Sequence, residues 1–317
     1  MHERVGTMAR KDKVIITAAL AGAATFKNNN PAVPYTPVEF ADEAHKAYKA
    51  GAAMVHVHGR RDDGFATYEI ERIRQIYDAI KQKTPELIVN LSSAASPDAT
   101  PEQRIAQIMA IKPEMASLNT NTMNFSIMNR KTGQIVYDNV FTNTFAMLQD
   151  FGKAMEEHGI KPEIEIYDIG GLDNTLLIMK QGFFSSPMNF NFVWGTAGGQ
   201  VFRASAFETM LHALPDGSNF TACGIGREQF PAVTQSCILG GHMRVGLEDN
   251  VHMPNGELAK GNWELVEVAV RIAECLGREV AIPDDARDIF GLKKMINHGY
   301  EPQSKLWKQI PQQTSGY

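Results

Sequence analysis

Short runs of β-branched and other apolar residues alternate along the chain with longer segments whose apolar positions recur at helical spacing. Residues 13–19 (KVIITAA) are typical of a strand buried on both faces, and residues 36–51 open with Thr-Pro and close at Gly51, as a capped helix does. Further strands are predicted at 52–60, 86–92, 115–119, 163–168, 188–195, 219–226 and 242–249, and further helices at 68–82, 101–111, 143–159, 172–182, 228–241 and 262–277.

About eight strand–helix units follow one another without a linker. This alternation favours parallel strands joined by right-handed crossovers, and eight units favour closure into a (β/α)₈ TIM barrel, the α/β fold class we predict. An open doubly wound sheet is the alternative. We therefore expect one barrel domain over residues 1–317, with a helical or irregular appendage after about residue 283.

Composition narrows the class of protein. The chain has 317 residues, 44% hydrophobic and 21% charged, with a net charge of −5 and no long basic stripe, so we expect no nucleic-acid or anionic membrane partner. No run of about eighteen apolar residues predicts a membrane span, and the charged start lacks the apolar core of a secretory signal. Three cysteines without close spacing favour a reducing cytoplasm.

Candidate metal ligands lie at two predicted strand ends. His56 and His58 stand two residues apart in VHVHG, so both rings project to one side of the strand. A third ligand must come from elsewhere, and the adjacent acids Glu248 and Asp249 end the eighth predicted strand. Neighbouring side chains point in different directions, so we assign Glu248 to the metal and Asp249 to proton abstraction; exchanged roles are the alternative.

Polar residues at other strand ends could bind the carboxylate of a small substrate. The guanidinium of an arginine donates two parallel hydrogen bonds to a carboxylate, and amide and hydroxyl groups supply further hydrogen bonds. Ordinary helix caps and turns are the alternative for each of them. The residues are Asn90, Ser92, Ser93, Asn119, Thr122, Asn124 and Arg244. Glu165, on one face of EIEIYD with Glu163, is a candidate for orienting a metal-binding histidine. The loops GTAGGQ and GIGREQ, with Arg203 and Arg227 nearby, are candidates for binding phosphate, with tight turns as the alternative.

The segments TAALAGA, VHVHGR, MASLNTNTMNF, EIEIYD, GTAGG, GIGR and GGHMRVGLEDN, in this order, resemble the β-keto acid cleavage enzyme family. The likeness runs from about Lys13 to Arg287. It implies a (β/α)₈ barrel with one zinc ion and, together with the appendage after Pro283, favours a homo-oligomer. It also implies a reaction in which a β-keto acid and acetyl-CoA, as cosubstrate, yield acetoacetate and a new acyl-CoA.

Residue by residue, the resemblance places the zinc ligands on His56, His58 and Glu248. It implies that Ser92, Thr122 and Asn124 hold the keto acid, and that Arg244 and Asp249 act around proton transfer. The chain departs from the aminohexanoate-cleaving members at Ala24, where those members carry a glutamate suited to an ammonium group. Without that charge we expect a different substrate, whose distal group is neutral or, if Lys27 receives it, carboxylate.

Three other functions compete with this one. A metal-dependent lyase or aldolase on the same barrel would form an enolate without CoA, and acetyl-CoA dependence distinguishes it. A metal hydrolase is less favoured because its usual sites need more histidines or a bridging lysine. A zinc-stabilised binding protein would need four protein ligands, and the sequence offers three.

Overall fold

The computed structural model describes residues 13–94, 99–128 and 132–292 and contains a closed barrel of eight parallel strands. The barrel strands follow the chain around the ring, and a separate antiparallel hairpin of two strands interrupts them after the fourth. In chain order the strands are β1 (Ile16–Ala21), β2 (Met54–Val57), β3 (Ile88–Leu91), β4 (Met115–Asn119), β5 (Met123–Met128), β6 (Ile135–Phe141), β7 (Lys161–Ile166), β8 (Asn189–Trp194), β9 (Asn219–Gly224) and β10 (His242–Val245). The predicted (β/α)₈ barrel is confirmed, and β1 pairs with β10 to close it.

Helices cover the outside of the barrel. They are α1 (Pro37–Lys49), α2 (Ile70–Lys83), α3 (Pro101–Ile111), α4 (Phe145–Glu157), α5 (Ile169–Met179), α6 (Ala204–His212), α7 (Gln229–Ile238), α8 (Asn262–Cys275) and α9 (Pro283–Phe290). Thr36 and Thr100 begin α1 and α3 with capping boxes followed by proline, which satisfies amides that the first turn leaves free. Among the helices of the described residues, none has the length and apolar character needed to cross a membrane.

Alternation along each strand separates two kinds of surface. On β1, Ile16, Ala18 and Leu20 point outward into the core shared with α1, where Phe40 and Ala44 are fully buried. The intervening position, Thr17, and residues such as Asn90 on β3 form a polar layer that is also fully buried. The barrel interior is therefore polar beneath its carboxyl end, where the strand-end residues meet.

Two elements lie outside the predicted pattern. The hairpin β5–β6 leaves the carboxyl end of β4 and contacts the loop after β8, where the Ser126 amide donates to the Ala197 carbonyl. Gly198 comes so close to the Asn124 carbonyl that a Cβ would lie 1.7 Å from its oxygen. The sequence pattern does not predict helix α6. The helix lacks a side-chain cap at Arg203, and it buries only Phe207 and Met210, so the usual start signal and the apolar periodicity are weak.

The predicted C-terminal appendage lies partly outside the described residues, which end at 292. Its described part, α9, closes the amino end of the barrel: Phe290 and Leu292 join a buried cluster with Ile15, Met54 and Met115. Asn189 of β8 also donates to the Phe290 carbonyl at 3.0 Å. This segment is therefore packed against the strands. The assignment of the whole chain to one domain stays a prediction.

Candidate active site

His56, His58 and Glu248 form a cluster at the carboxyl end of the barrel, in which both histidines are buried and Glu248 is partly buried. The two Nε2 atoms lie 3.3 Å apart, and Glu248 Oε1 lies 3.3 Å from His58 Nε2 and 3.7 Å from His56 Nε2. The histidines share a side because they stand two apart at the end of β2, as the sequence predicts. Glu248, rather than Asp249, is the carboxylate beside the rings.

A glycine turn brings Glu248 to the histidines. Gly246 follows β10 with φ +153°, and a Cβ there would lie 2.1 Å from the Ala19 carbonyl oxygen. The same carbonyl accepts a hydrogen bond from the Glu248 amide at 3.1 Å, which ties the turn to β1. Gly22 clears the space above, because a Cβ there would lie 2.6 Å from Glu248 Cγ. These close approaches need the small residue at both positions.

The donor set fits a zinc ion. Ligand atoms placed about 2.1 Å from a tetrahedral zinc ion lie about 3.4 Å apart, close to the three separations between these side chains. Glu248 Oε2 is also buried, and within the described residues it has no hydrogen-bond partner. Two imidazoles and one carboxylate leave a fourth position for substrate or water, as catalytic zinc sites do.

Arg244 connects the cluster to two further carboxylates. Its Nη2 donates to Glu248 Oε1 at 2.6 Å, its Nη1 to Glu165 Oε1 at 2.9 Å, and its Nε and Nη2 each bind one oxygen of Asp249 at 3.0 Å. All four side chains are largely buried. The guanidinium thereby holds the Asp249 carboxylate in a fixed plane next to Glu248.

Burial and charge pull the pKa values of the two adjacent acids apart. Burial disfavours ionisation of Glu248, but His58, Arg244 and His56 together hold the pKa of this carboxyl well below its usual range. Burial raises the pKa of Asp249 to about 6. The positive charge of Arg244 opposes this rise, and the negative charge of Glu248 adds to it. The site therefore holds two neighbouring carboxyl groups with different affinities for a proton.

Glu165 reaches the cluster through the arginine. Its carboxylate accepts from Arg244, and burial raises its pKa while Arg244 opposes the rise. Within the described residues, the Nδ1 atoms of His56 and His58 have no hydrogen-bond partner, so a role for Glu165 in orienting either histidine stays a prediction. The contact between Glu165 and Arg244 joins strands β7 and β10 across the barrel interior. Sequence patterns do not indicate it, because the two strands are far apart along the chain.

The residues predicted to hold the keto acid lie around the same end of the barrel. Ser92 follows β3, is 4% exposed and accepts from the Ala94 amide through its hydroxyl. Thr122 lies between β4 and β5, and its hydroxyl accepts from the Asn143 amide at 2.8 Å. Asn124 lies on β5, paired with Val140. Their assigned roles stay predictions.

Ala24 lines an open cavity of about 310 Å³ that reaches Asp249. Thr25, Asn29, Asn250 and His252 also line it. The structure thus brings the Ala24 position and the predicted base to one cavity. Lys27 stands between the lining residues Thr25 and Asn29, and its Nζ lies 2.5 Å from Glu39 Oε1 and over the Tyr35 ring.

The two glycine-rich loops lie at this same end. Gly195 and Gly226 adopt positive φ, and the Gly226 amide donates to the Asp249 carbonyl at 2.7 Å, so this amide already has an acceptor. Arg203 and Arg227 are exposed on the loop before α6 and on the 3₁₀ turn after β9. Both residues are therefore accessible to solvent at the rim.

Arg60 is a structural contributor that the sequence argument did not single out. It is fully buried, donates to the carbonyls of Gly22 and Thr25, and stacks between the rings of Phe26 and Tyr35. It thereby holds the β1–α1 loop against β2. The sequence does show an arginine just after the H-x-H strand. Its contacts could not be predicted, because its partners are distant in sequence.

Comparison with known proteins agrees with this architecture. The chain is 45% identical over 283 residues to the 3-keto-5-aminohexanoate cleavage enzyme of Fusobacterium nucleatum, covering 89% of this chain and 99% of that protein. It is 32% identical over 292 residues to the 3-oxoadipate:acetyl-CoA acetyltransferase of Cupriavidus necator, covering 91% and 98%.

Among solved structures, apo ObcA has a TM-score of 0.68 at 22% identity, with 83% of this chain and 66% of that chain covered, which shows the shared barrel fold. The profile of the β-keto acid cleavage enzyme family matches residues 13–292, which include all three residues of the histidine–glutamate cluster. The chain therefore belongs to the β-keto acid cleavage enzyme family.

Proposed function

We propose that this protein is a zinc-dependent acyltransferase that converts a β-keto acid and acetyl-CoA into acetoacetate and a new acyl-CoA. One observation carries the proposal: a three-ligand cluster of His56, His58 and Glu248 stands beside an acid, Asp249, that Arg244 holds in place. Relatives named for β-keto acid cleavage or for acetyl-CoA-dependent transfer support this chemistry.

The reaction begins with loss of a proton from the methylene between the ketone and the carboxylate of the substrate. Asp249 takes this proton, and Arg244 keeps the receiving carboxylate oriented. The carbanion attacks the acetyl thioester and expels CoA as its thiolate. The thiolate then attacks the original ketone, and the carbon–carbon bond breaks to give the new acyl-CoA and the enolate of acetoacetate, which regains a proton.

When bound, a zinc ion supplies positive charge that acidifies the methylene and stabilises the negative charge that develops there. Ser92, Thr122 and Asn124 are assigned to the keto acid. Arg203 and Arg227, exposed at the rim, are assigned to the phosphates of CoA.

The substrate's distal group is neutral in this proposal. Ala24 places a methyl group in the cavity next to Asp249, so an ammonium group finds no ion pair there. Lys27 is paired with Glu39, which offsets the positive charge that would attract a second carboxylate. A β-keto acid with an uncharged or apolar side chain fits both observations.

The test is a panel of β-keto acids with neutral, ammonium and carboxylate ends, incubated with zinc-loaded protein and acetyl-CoA while acetoacetate is followed. We expect turnover with the neutral members and none when acetyl-CoA is omitted. Turnover without acetyl-CoA would identify the runner-up, a metal-dependent lyase or aldolase. Preference for the ammonium member would refute the assignment of the distal group.

Variants separate metal binding from proton transfer. His56→Ala and Glu248→Ala are expected to lose zinc and turnover together, whereas the exposed His212→Ala is the control that retains both. Asp249→Asn is expected to keep zinc but to stop deuterium exchange at the substrate methylene. An enzyme that stays active after exhaustive chelation would contradict the proposal. A cytoplasmic location and a homo-oligomeric state stay predictions.

A further inference from the structure

Beneath the metal cluster, the side chain of Asn90 faces one of the candidate ligands. Asn90 on β3 pairs in register with His56 on β2, and both residues are at most 1% exposed. His56 directs Nε2 toward His58 and Glu248. Its other ring nitrogen, Nδ1, is buried, and within the described ranges it has no hydrogen-bond partner.

The chemistry of imidazole means that this nitrogen needs a hydrogen-bond acceptor. When Nε2 is a metal ligand, the proton of the neutral ring resides on Nδ1, and a buried N–H group without an acceptor is costly. Asn90 Oδ1 is a buried acceptor that likewise has no hydrogen-bond partner among the described residues.

Glu163 decides which end of the Asn90 amide faces the ring. Asn90 Nδ2 donates to Glu163 Oε2 at 2.6 Å, and Glu163 is 2% exposed. The oxygen and nitrogen ends of an amide are nearly alike in shape, so a partner must select between them. Because the carboxylate binds the nitrogen, the oxygen is left for His56.

We infer that Asn90 and Glu163 are positioning residues that keep the proton of His56 on Nδ1 and thereby aim Nε2 at the metal. The relay runs from the ring to the Asn90 amide and on to the Glu163 carboxylate, whereas Arg244 donates to Glu165. The inference rests on the proposed zinc site and adds two interior residues that do not touch the ion.

The experiment measures zinc affinity by chelator competition and the visible absorption of the Co²⁺-substituted protein. Asn90→Leu and Glu163→Leu are expected to weaken zinc binding about 10- to 100-fold and to change the Co²⁺ spectrum, because His56 is no longer held. Glu163→Gln is expected to restore affinity to within about threefold, since its side-chain oxygen still accepts from Asn90.

Asn191→Leu is the matched control. Asn191 on β8 is an equally buried interior amide, but its register partners are Glu165 and Thr221 rather than a histidine. We expect this variant to keep both the zinc affinity and the Co²⁺ spectrum of the unsubstituted protein. A loss of affinity equal to that of Asn90→Leu would refute the inference, since any interior amide would then serve.

The two hypotheses fail differently. If the unsubstituted protein binds no zinc, the proposed function is refuted together with the relay. If it binds zinc and folded Asn90→Leu binds equally tightly with an unchanged Co²⁺ spectrum, only the relay is refuted. Should Asn90→Leu not fold, the comparison of Glu163→Leu with Glu163→Gln decides, and equal affinities in that pair would overturn the inference.

Discussion

His242, at the amino end of the barrel, is expected to make the stability of this protein depend on pH. Its ring is 4% exposed and packs edge-on against Phe290 at 5.2 Å, and its Nδ1 accepts a hydrogen bond from the Ile15 amide at 3.1 Å. Burial, reinforced by the charge of Arg278, lowers the pKa of His242 to about 3 from its usual 6.5. The folded protein therefore holds this ring neutral.

The direction in which stability changes with pH follows from the pH at which each state binds a proton on His242. Below pH 6.5 the unfolded chain gains a proton on His242, whereas the folded protein gains one only near pH 3, so acid favours unfolding across that window. The contribution is full above pH 6.5 and is lost at about 1.4 kcal/mol per pH unit as the pH falls. Between pH 7 and pH 5 the expected loss is about 2 kcal/mol.

Urea unfolding at each pH, with chelator present so that metal release adds nothing, measures this loss. His242→Asn keeps an acceptor for the Ile15 amide but cannot titrate, so its free energy of unfolding should fall about 2 kcal/mol less between pH 7 and pH 5 than that of the unsubstituted protein. His212→Asn, on the exposed end of α6, is the control for loss of a histidine. Parallel profiles for His242→Asn and the unsubstituted protein would refute the reasoning.

Three further predictions concern other parts of the barrel. Arg244→Met should lower the free energy of unfolding by about 3–5 kcal/mol in urea at neutral pH, because three buried carboxylates lose their cation; a loss under about 1 kcal/mol would contradict this. Gly22→Ala should weaken zinc binding in chelator competition while the circular dichroism stays unchanged, since the added methyl displaces Glu248. Phe290→Ala should cost about 3–5 kcal/mol in urea unfolding, and a neutral result would show that α9 is dispensable.

Much of the barrel is readable from local patterns because each strand–helix unit carries its own signals. Residues 101–111 and 115–119 agree with α3 and β4 at both ends, helped by the Thr-Pro cap and the apolar run. The hairpin β5–β6 is not readable in this way. Its residues are half exposed and mixed in polarity, so it gives neither a buried run nor a regular alternation.

The candidate site likewise contains residues that local sequence patterns predict and contacts that they do not. The convergence of His56 and His58 follows from strand periodicity alone, and the acid after β10 follows from the position of barrel active sites. The contacts of Arg244 with Glu165 and of Asn90 with Glu163 cross between strands. They depend on the relative heights of strands in the closed ring, which no short segment of sequence encodes.

Among the described residues, α9 packs across the amino end of the barrel, and the cavity that reaches Asp249 opens at the carboxyl end. A keto acid, acetyl-CoA and both products of the proposed reaction must then pass through the same opening, beside the β1–α1 loop and the cavity at Ala24. We expect each product to block the entry of a substrate, so acetoacetate and the new acyl-CoA should inhibit the initial rate. The initial rate should therefore fall as either product is added, even at a fixed concentration of both substrates.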